Sequence, residues 1–165
     1  MCEYCGCQSL EAVAELTREH DAVLGHLRTA GEAARTGDAH AAAQVCTVLL
    51  DLLGPHTAVE ERALFPAMAR EYPEHVDGLR AEHASVEVAL REVAAGGSAA
   101  PGWPARLGGA LEVLRAHVRK EQDGLFPAAL TTLTVEDWEA VDAVRLQVGT
   151  ALAPAFPEVA STRAV

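Results

Sequence analysis

The segment HTAVEERALFPA at 56–67 returns, altered but aligned without a gap, as HVRKEQDGLFPA at 117–128. Both copies hold His-x-x-x-Glu followed by Leu-Phe-Pro-Ala. Their upstream halves match too: REHDAVLGHL around His20 corresponds to AEHASVEVAL around His83. The offset is about 60 residues in both cases, and a small loop insertion absorbs the difference. A chain repeated in this way is built from two similar halves. Each half provides one lone histidine and one His/Glu pair.

With 165 residues the chain is expected to form one domain around a continuous core. Its formal charge is −11, from 13 Lys and Arg against 24 Asp and Glu. Such an excess repels phosphate backbones and anionic membrane surfaces, so neither a nucleic-acid nor a membrane partner is expected. The start, MCEYCGCQSLEAVAEL, has no basic region followed by an apolar stretch, and no later run approaches the ~20 apolar residues that a bilayer demands. A cytoplasmic location is expected, and the clustered cysteines suit metal or redox chemistry better than disulfide staples.

Helical periodicity covers segments 9–36, 39–70, 74–95, 104–130 and 135–150, in a composition rich in Ala, Leu, Glu and Arg. Gly37-Asp38, Tyr72-Pro73 and the stretch from Gly96 to Gly102 punctuate the first four. Short connections make neighbouring helices antiparallel, so the fold class is all-α: an up-down four-helix bundle with a short fifth helix starting after Thr134 as its N-cap. Residues 1–8 form a Cys-rich N-terminal segment, 9–150 the bundle, and 151–165 a tail expected to fray.

On these helices the four repeat histidines fall on apolar stripes. His20 lies with Leu16, Leu24 and Leu27, and His56 with Val45, Leu49 and Leu52; His83 lies with Leu79, Val86 and Leu90, and His117 with Leu111 and Leu114. His20 and His56 are nearly equidistant from the Gly37 turn, as are His83 and His117 from the Gly/Ala loop, so all four are predicted at one level of the bundle. Residues four apart share a helix face, which sends Glu60 and Glu121 to the same point as His56 and His117. A single buried His/Glu pair is more economically read as a structural hydrogen bond. Six such groups at one level are too costly to bury without a counter-ion. Mixed imidazole and carboxylate donors suit iron, manganese or zinc, and bundle cores are a known setting for dinuclear carboxylate sites.

At this point the chain resembles the hemerythrin-like, or HHE cation-binding, domains, over residues from about 9 to 130. The resemblance implies a four-helix bundle around two non-haem iron ions with an oxo or hydroxo bridge. It further implies that His20, His56, His83 and His117 are terminal nitrogen ligands and that Glu60 and Glu121 bridge the metals. Two positions depart from the oxygen-carrying hemerythrins: Glu87 stands where those have a second third-helix histidine, and Gln122 stands at the spacing of their final Asp, leaving Glu121 as the substitute. Glu87 is either a further metal ligand, making the site richer in carboxylate, or a solvated acid on the helix flank.

Other residues carry weaker signals. Leu64-Phe65 and Leu125-Phe126 are read as core, or as an apolar wall controlling solvent access. Pro66 and Pro127 are expected to kink or end their helices, and Gly54-Pro55 to bend the second. Glu61 is either an acceptor behind a ligand or a surface acid, and His26, His40 and His75 are surface or structural. Cys2, Cys5 and Cys7 either hold a soft metal or serve in redox exchange, or else belong to a tail with exposed thiols; Cys46 reads as a small core residue. The leading expectation is a protein that binds dioxygen, peroxide or a similar small oxidant at a diiron centre. The alternatives are a peroxide-decomposing or ferroxidase-type enzyme, and an iron- or oxidant-sensing module that signals to a protein partner.

Overall fold

A computed structural model describes residues 7–97 and 100–152, and among these every regular element is a helix. Cys2, Cys5 and the tail from 153 onward lie outside the described residues. Five helical units follow in order. α1 is Cys7–Thr36. α2 runs as Ala39–Val59, a π-helical turn at Glu60–Leu64 and a last segment Phe65–Met68. α3 is Pro73–Ala94. α4 repeats the pattern of α2 with Trp103–Lys120, a π-helical turn at Glu121–Leu125 and Phe126–Thr132. α5 is Val135–Val148. The bounds differ from the periodicity-based segments by only a few residues.

Local chemistry sets these limits. Gly37 adopts φ 71, donating its N–H to Ala34 while Asp38 donates to Ala33, which together close the end of α1. The Asp38 carboxylate then accepts from the Ala41 N–H and caps α2. Pro73 opens α3, where a missing N–H costs nothing. At α5 Thr134 and Asp137 form a reciprocal capping box.

Pro66 and Pro127 neither end nor simply kink their helices. Proline lacks the N–H that the carbonyl four residues back would receive, and its ring presses on that carbonyl. The chain relieves this by widening one turn: Phe65 donates to Glu60 and Phe126 to Glu121, each five residues back. The helix resumes beyond each widened turn, and α2 also continues through Pro55.

α1 packs against α2 and α4, and α3 against the same two, so the four close a ring; α5 lies across α1 and α2. Side chains fill the interior as two apolar clusters. One contains Val23, Leu27, Leu49, Leu90, Leu107 and Leu111, and the other Leu16, Leu64, Phe65, Leu79, Phe126 and Trp138. Cys46 is fully buried in the first, and burial pushes its thiol up to about 11. Along α1, α2 and α3 the repeat histidine marks the change of cluster: His20 falls between Leu16 and Val23, His56 between Leu52 and Val59, and His83 between Leu79 and Val86; on α4 the change comes just after His117, between Val118 and Leu125. A polar layer is thus sandwiched between two apolar ones.

No apolar run of about 20 residues was expected, yet folded α2 is continuous over 30 residues and holds a window of mean hydropathy 1.2, enough by length and composition to cross a bilayer. Its abundance of small alanines hides that total from a residue-by-residue reading. In the bundle α2 turns one face inward, burying Leu49, Leu52 and His56.

Truncating Leu49, which has no exposed surface, to alanine is expected to cost about 2–5 kcal/mol of unfolding free energy. Thr134→Ala removes only a cap and is expected to cost about 1 kcal/mol. Urea denaturation of both variants measures the contrast, and equal costs would place Leu49 outside the core.

Candidate metal centre

The polar layer is made of His20, His56, His117, Glu60 and Glu121, each at most 2% exposed, and His83, whose side chain is 9% exposed. Glu60 Oε2 lies 3.3 Å from His56 Nε2 and 3.4 Å from His83 Nε2. Glu121 lies 3.1 Å from both His117 Nε2 and His20 Nε2. Each glutamate therefore stands between a histidine of its own half and one of the other half. Two groups of four donors result, His20/His56/Glu60/Glu121 and His83/His117/Glu60/Glu121, and they share both carboxylates.

These contacts are short, but they are not aligned as hydrogen bonds: all four oxygens of Glu60 and Glu121 and both ring nitrogens of His20 lack a hydrogen-bond partner. Two buried carboxylates in that condition are strongly unfavourable unless a cation sits among them. The spacing fits one. Metal–ligand bonds of about 2.0–2.2 Å at near-right or tetrahedral angles place neighbouring donors about 3–3.5 Å apart, and the contacts above span that range.

Outer carboxylates orient the imidazoles. His56 Nδ1 donates to Glu19 at 2.9 Å, His83 Nδ1 to Glu61 at 2.9 Å, and His117 Nδ1 to Glu82 at 3.0 Å. A proton held on Nδ1 leaves the Nε2 lone pair facing inward, the form a metal takes. Glu61 therefore acts as an acceptor behind His83. Glu19 is itself gripped by both Nη atoms of Arg145 at 2.8 Å and by the Thr150 hydroxyl at 2.7 Å, and Lys120 pairs with Glu82. Phe126 stacks on His20 and Phe65 on His83, each with ring centroids 5.4 Å apart. The Leu-Phe pairs are thus core residues that also wall the centre. In a regular α-helix residues five apart stand about 140° apart around the axis; the π turn brings Glu60 and Phe65, and Glu121 and Phe126, toward one side.

The structure brings together six of the seven site residues expected from the sequence. Glu87 is the exception: its side chain is 53% exposed and pairs with Arg91 at 2.6 Å, one turn beyond His83. His40 and His75 are exposed and His26 partly buried, away from the donor groups. Glu19, Glu82, Arg145, Thr150 and Lys120 were not anticipated. The two acids had a visible signal, since Glu-His occurs at 19–20 and again at 82–83 in the repeat.

Electrostatics agree with a site that holds positive charge. At His83 burial alone disfavours the imidazolium, but Glu60 and Glu61 outweigh it and raise the pKa from 6.5 to about 9. His56 is raised for the same reasons, with burial opposed by the Glu60 charge and the bond to Glu19. Glu19 falls to about 2, because hydrogen bonds from His56, Arg145 and Thr150 outweigh its burial. Glu121 is lowered against its burial by His117 and His20. His83 Nε2 and His117 Nε2 approach to 2.9 Å, where two lone pairs would repel unless a proton or a cation lies between them.

Two outcomes follow from this geometry. In the metal-free protein the stabilising His83 imidazolium is fully present below pH 6.5 and lost as pH rises through about 9. A metal competes with that proton. From pH 6.5 to 9 the metal-free Tm is therefore expected to fall while the gain in Tm on adding Zn(II) or Fe(II) grows; a gain that shrinks over this window would count against the site. Glu19→Ala and Glu82→Ala should each weaken metal binding about 10–100-fold in chelator competition, with Glu87→Ala within about threefold of the parent.

Comparison with known proteins follows the same lines. No curated protein and no solved structure shows significant similarity to this chain. A family model described as the hemerythrin HHE cation-binding domain matches residues 11–129. The matched stretch contains all six clustered donors and stops before α5, and on its strength the chain belongs to the hemerythrin HHE cation-binding family.

Proposed function

We propose that this chain is a non-haem diiron protein that binds dioxygen, peroxide or a related small oxidant between α1, α2, α3 and α4, arranged as an antiparallel up-and-down bundle. One observation carries the reading: the two donor groups share Glu60 and Glu121. A mononuclear site has no use for a second histidine pair on the far side of the same carboxylates. Mixed imidazole and carboxylate donors suit iron, and two bridged irons supply, when bound, the one- and two-electron chemistry that small oxidants require. The short connections and the closed ring of neighbours support the antiparallel order.

The chain's own residues supply the rest. Four imidazoles and two carboxylates would hold the ions, four donors to each. Glu19, Glu61 and Glu82 fix the ring tautomers. Phe65, Phe126 and the apolar clusters on either side shield the centre along the bundle, which strengthens the charge interactions inside.

Protein loaded anaerobically with Fe(II) is expected to carry two irons per chain and to develop an oxo-bridged diferric absorption in air. His56→Ala should lose at least one iron and most of that absorption. A parent that takes up one metal, or none, would refute the diiron reading. Return of the reduced spectrum on removing dioxygen would favour a carrier, whereas steady iron-dependent loss of peroxide would favour an enzyme.

A further inference from the structure

The repeat makes the two histidine pairs near copies, yet among the described residues the pair His83 and His117 lines a cavity that His20 and His56 do not reach. A cavity of about 580 Å³ lies between α2 and α3 and reaches His83 and His117, with Leu53, Ala58, Val86 and Leu114 among its walls. His20 and His56 do not line it, and each is 1% exposed. The volume is many times the ~30 Å³ share of one water, so a small linear molecule fits inside it.

Two independent features produce this one-sidedness. The first is α5, which lies across α1 and α2 and clamps Glu19, the residue backing His56, with Arg145 and, just past its end, Thr150. Its repeat equivalent Glu82 is held instead by Lys120, within the bundle itself. The second is side-chain size. Cleft residues Ala58 on α2 and Ala84 on α3 correspond in the repeat to Arg119 on α4 and Asp21 on α1, so the matching α4–α1 groove carries the larger side chain at both positions.

We propose that small exogenous ligands of the centre enter along the α2–α3 cleft, on the His83/His117 side alone, and that α5 closes the His20/His56 side. This rests on the diiron reading and adds a direction to it. Near-twofold symmetry of the donors is broken in access: one end of the centre receives ligands and the other is shielded.

The test uses the full-length, iron-loaded diferric protein with sodium azide as the probe, following the azide charge-transfer band by stopped flow while iron content is assayed separately. Ala58→Trp, which fills the cleft, is expected to slow azide association at least about tenfold at unchanged iron content, whereas Arg119→Trp, at the matching repeat position, stays within about twofold. Ala84→Trp and Asp21→Trp form a second matched pair should the first fail to fold. Cleft-filling variants that keep two irons and bind azide at the parental rate would overturn the access route and leave the diiron centre standing. So would an equal slowing by Arg119→Trp. Absence of iron in the parent would overturn the diiron reading itself, and this inference with it.

Discussion

Two carboxylates, Glu60 and Glu121, sit with no exposed surface and no hydrogen bond in the middle of an apolar bundle. Much of the rest of the structure serves to make that arrangement tolerable. Four imidazoles surround them from four helices, and both carboxylates face both halves of the chain. Burying such groups costs several kcal/mol apiece unless positive charge is returned to them, so protons or metal ions belong to the folded state. The raised pKa values of His56 and His83 are the metal-free version of the same balance.

Placing that layer requires the helices to be in register, and the two apolar clusters provide it. A slip of one turn in any helix would move its histidine by about 5.4 Å, out of the polar layer and into a cluster of Leu and Val. The prolines make a quieter contribution. Pro66 and Pro127 each follow a π turn that starts at Glu60 or Glu121, and that turn lets a carboxylate and the aromatic ring five residues later face inward together, one toward the donors and one against an imidazole. Single π turns are rare and collect at functional sites; here each begins at the shared carboxylate.

How much of this was legible in the chain depends on the range over which each feature acts. His20, His56, His83, His117, Glu60 and Glu121 announce themselves through repetition and helical spacing, both of which survive in one dimension. The π turns did not: proline is visible, but whether a helix answers it by ending, bending or widening is settled by packing on both sides. Glu19 and Glu82 were repeated in plain sight, but their partners are on other helices, 37 and 35 residues away. Arg145 lies 126 residues from Glu19 on a helix that has no repeat equivalent, and no local pattern reports such a contact. Glu87 shares a face with His83 by spacing, yet a nearby Arg91 and open solvent hold it outward.

An anomalous-scattering measurement at the iron edge on crystals of the iron-loaded protein tests the central claim most directly. The account predicts two peaks roughly 3–4 Å apart, one beside His20 and His56 and the other beside His83 and His117, with Glu60 and Glu121 in contact with both. A single peak, or none while the histidines bond directly to the glutamates, would contradict it.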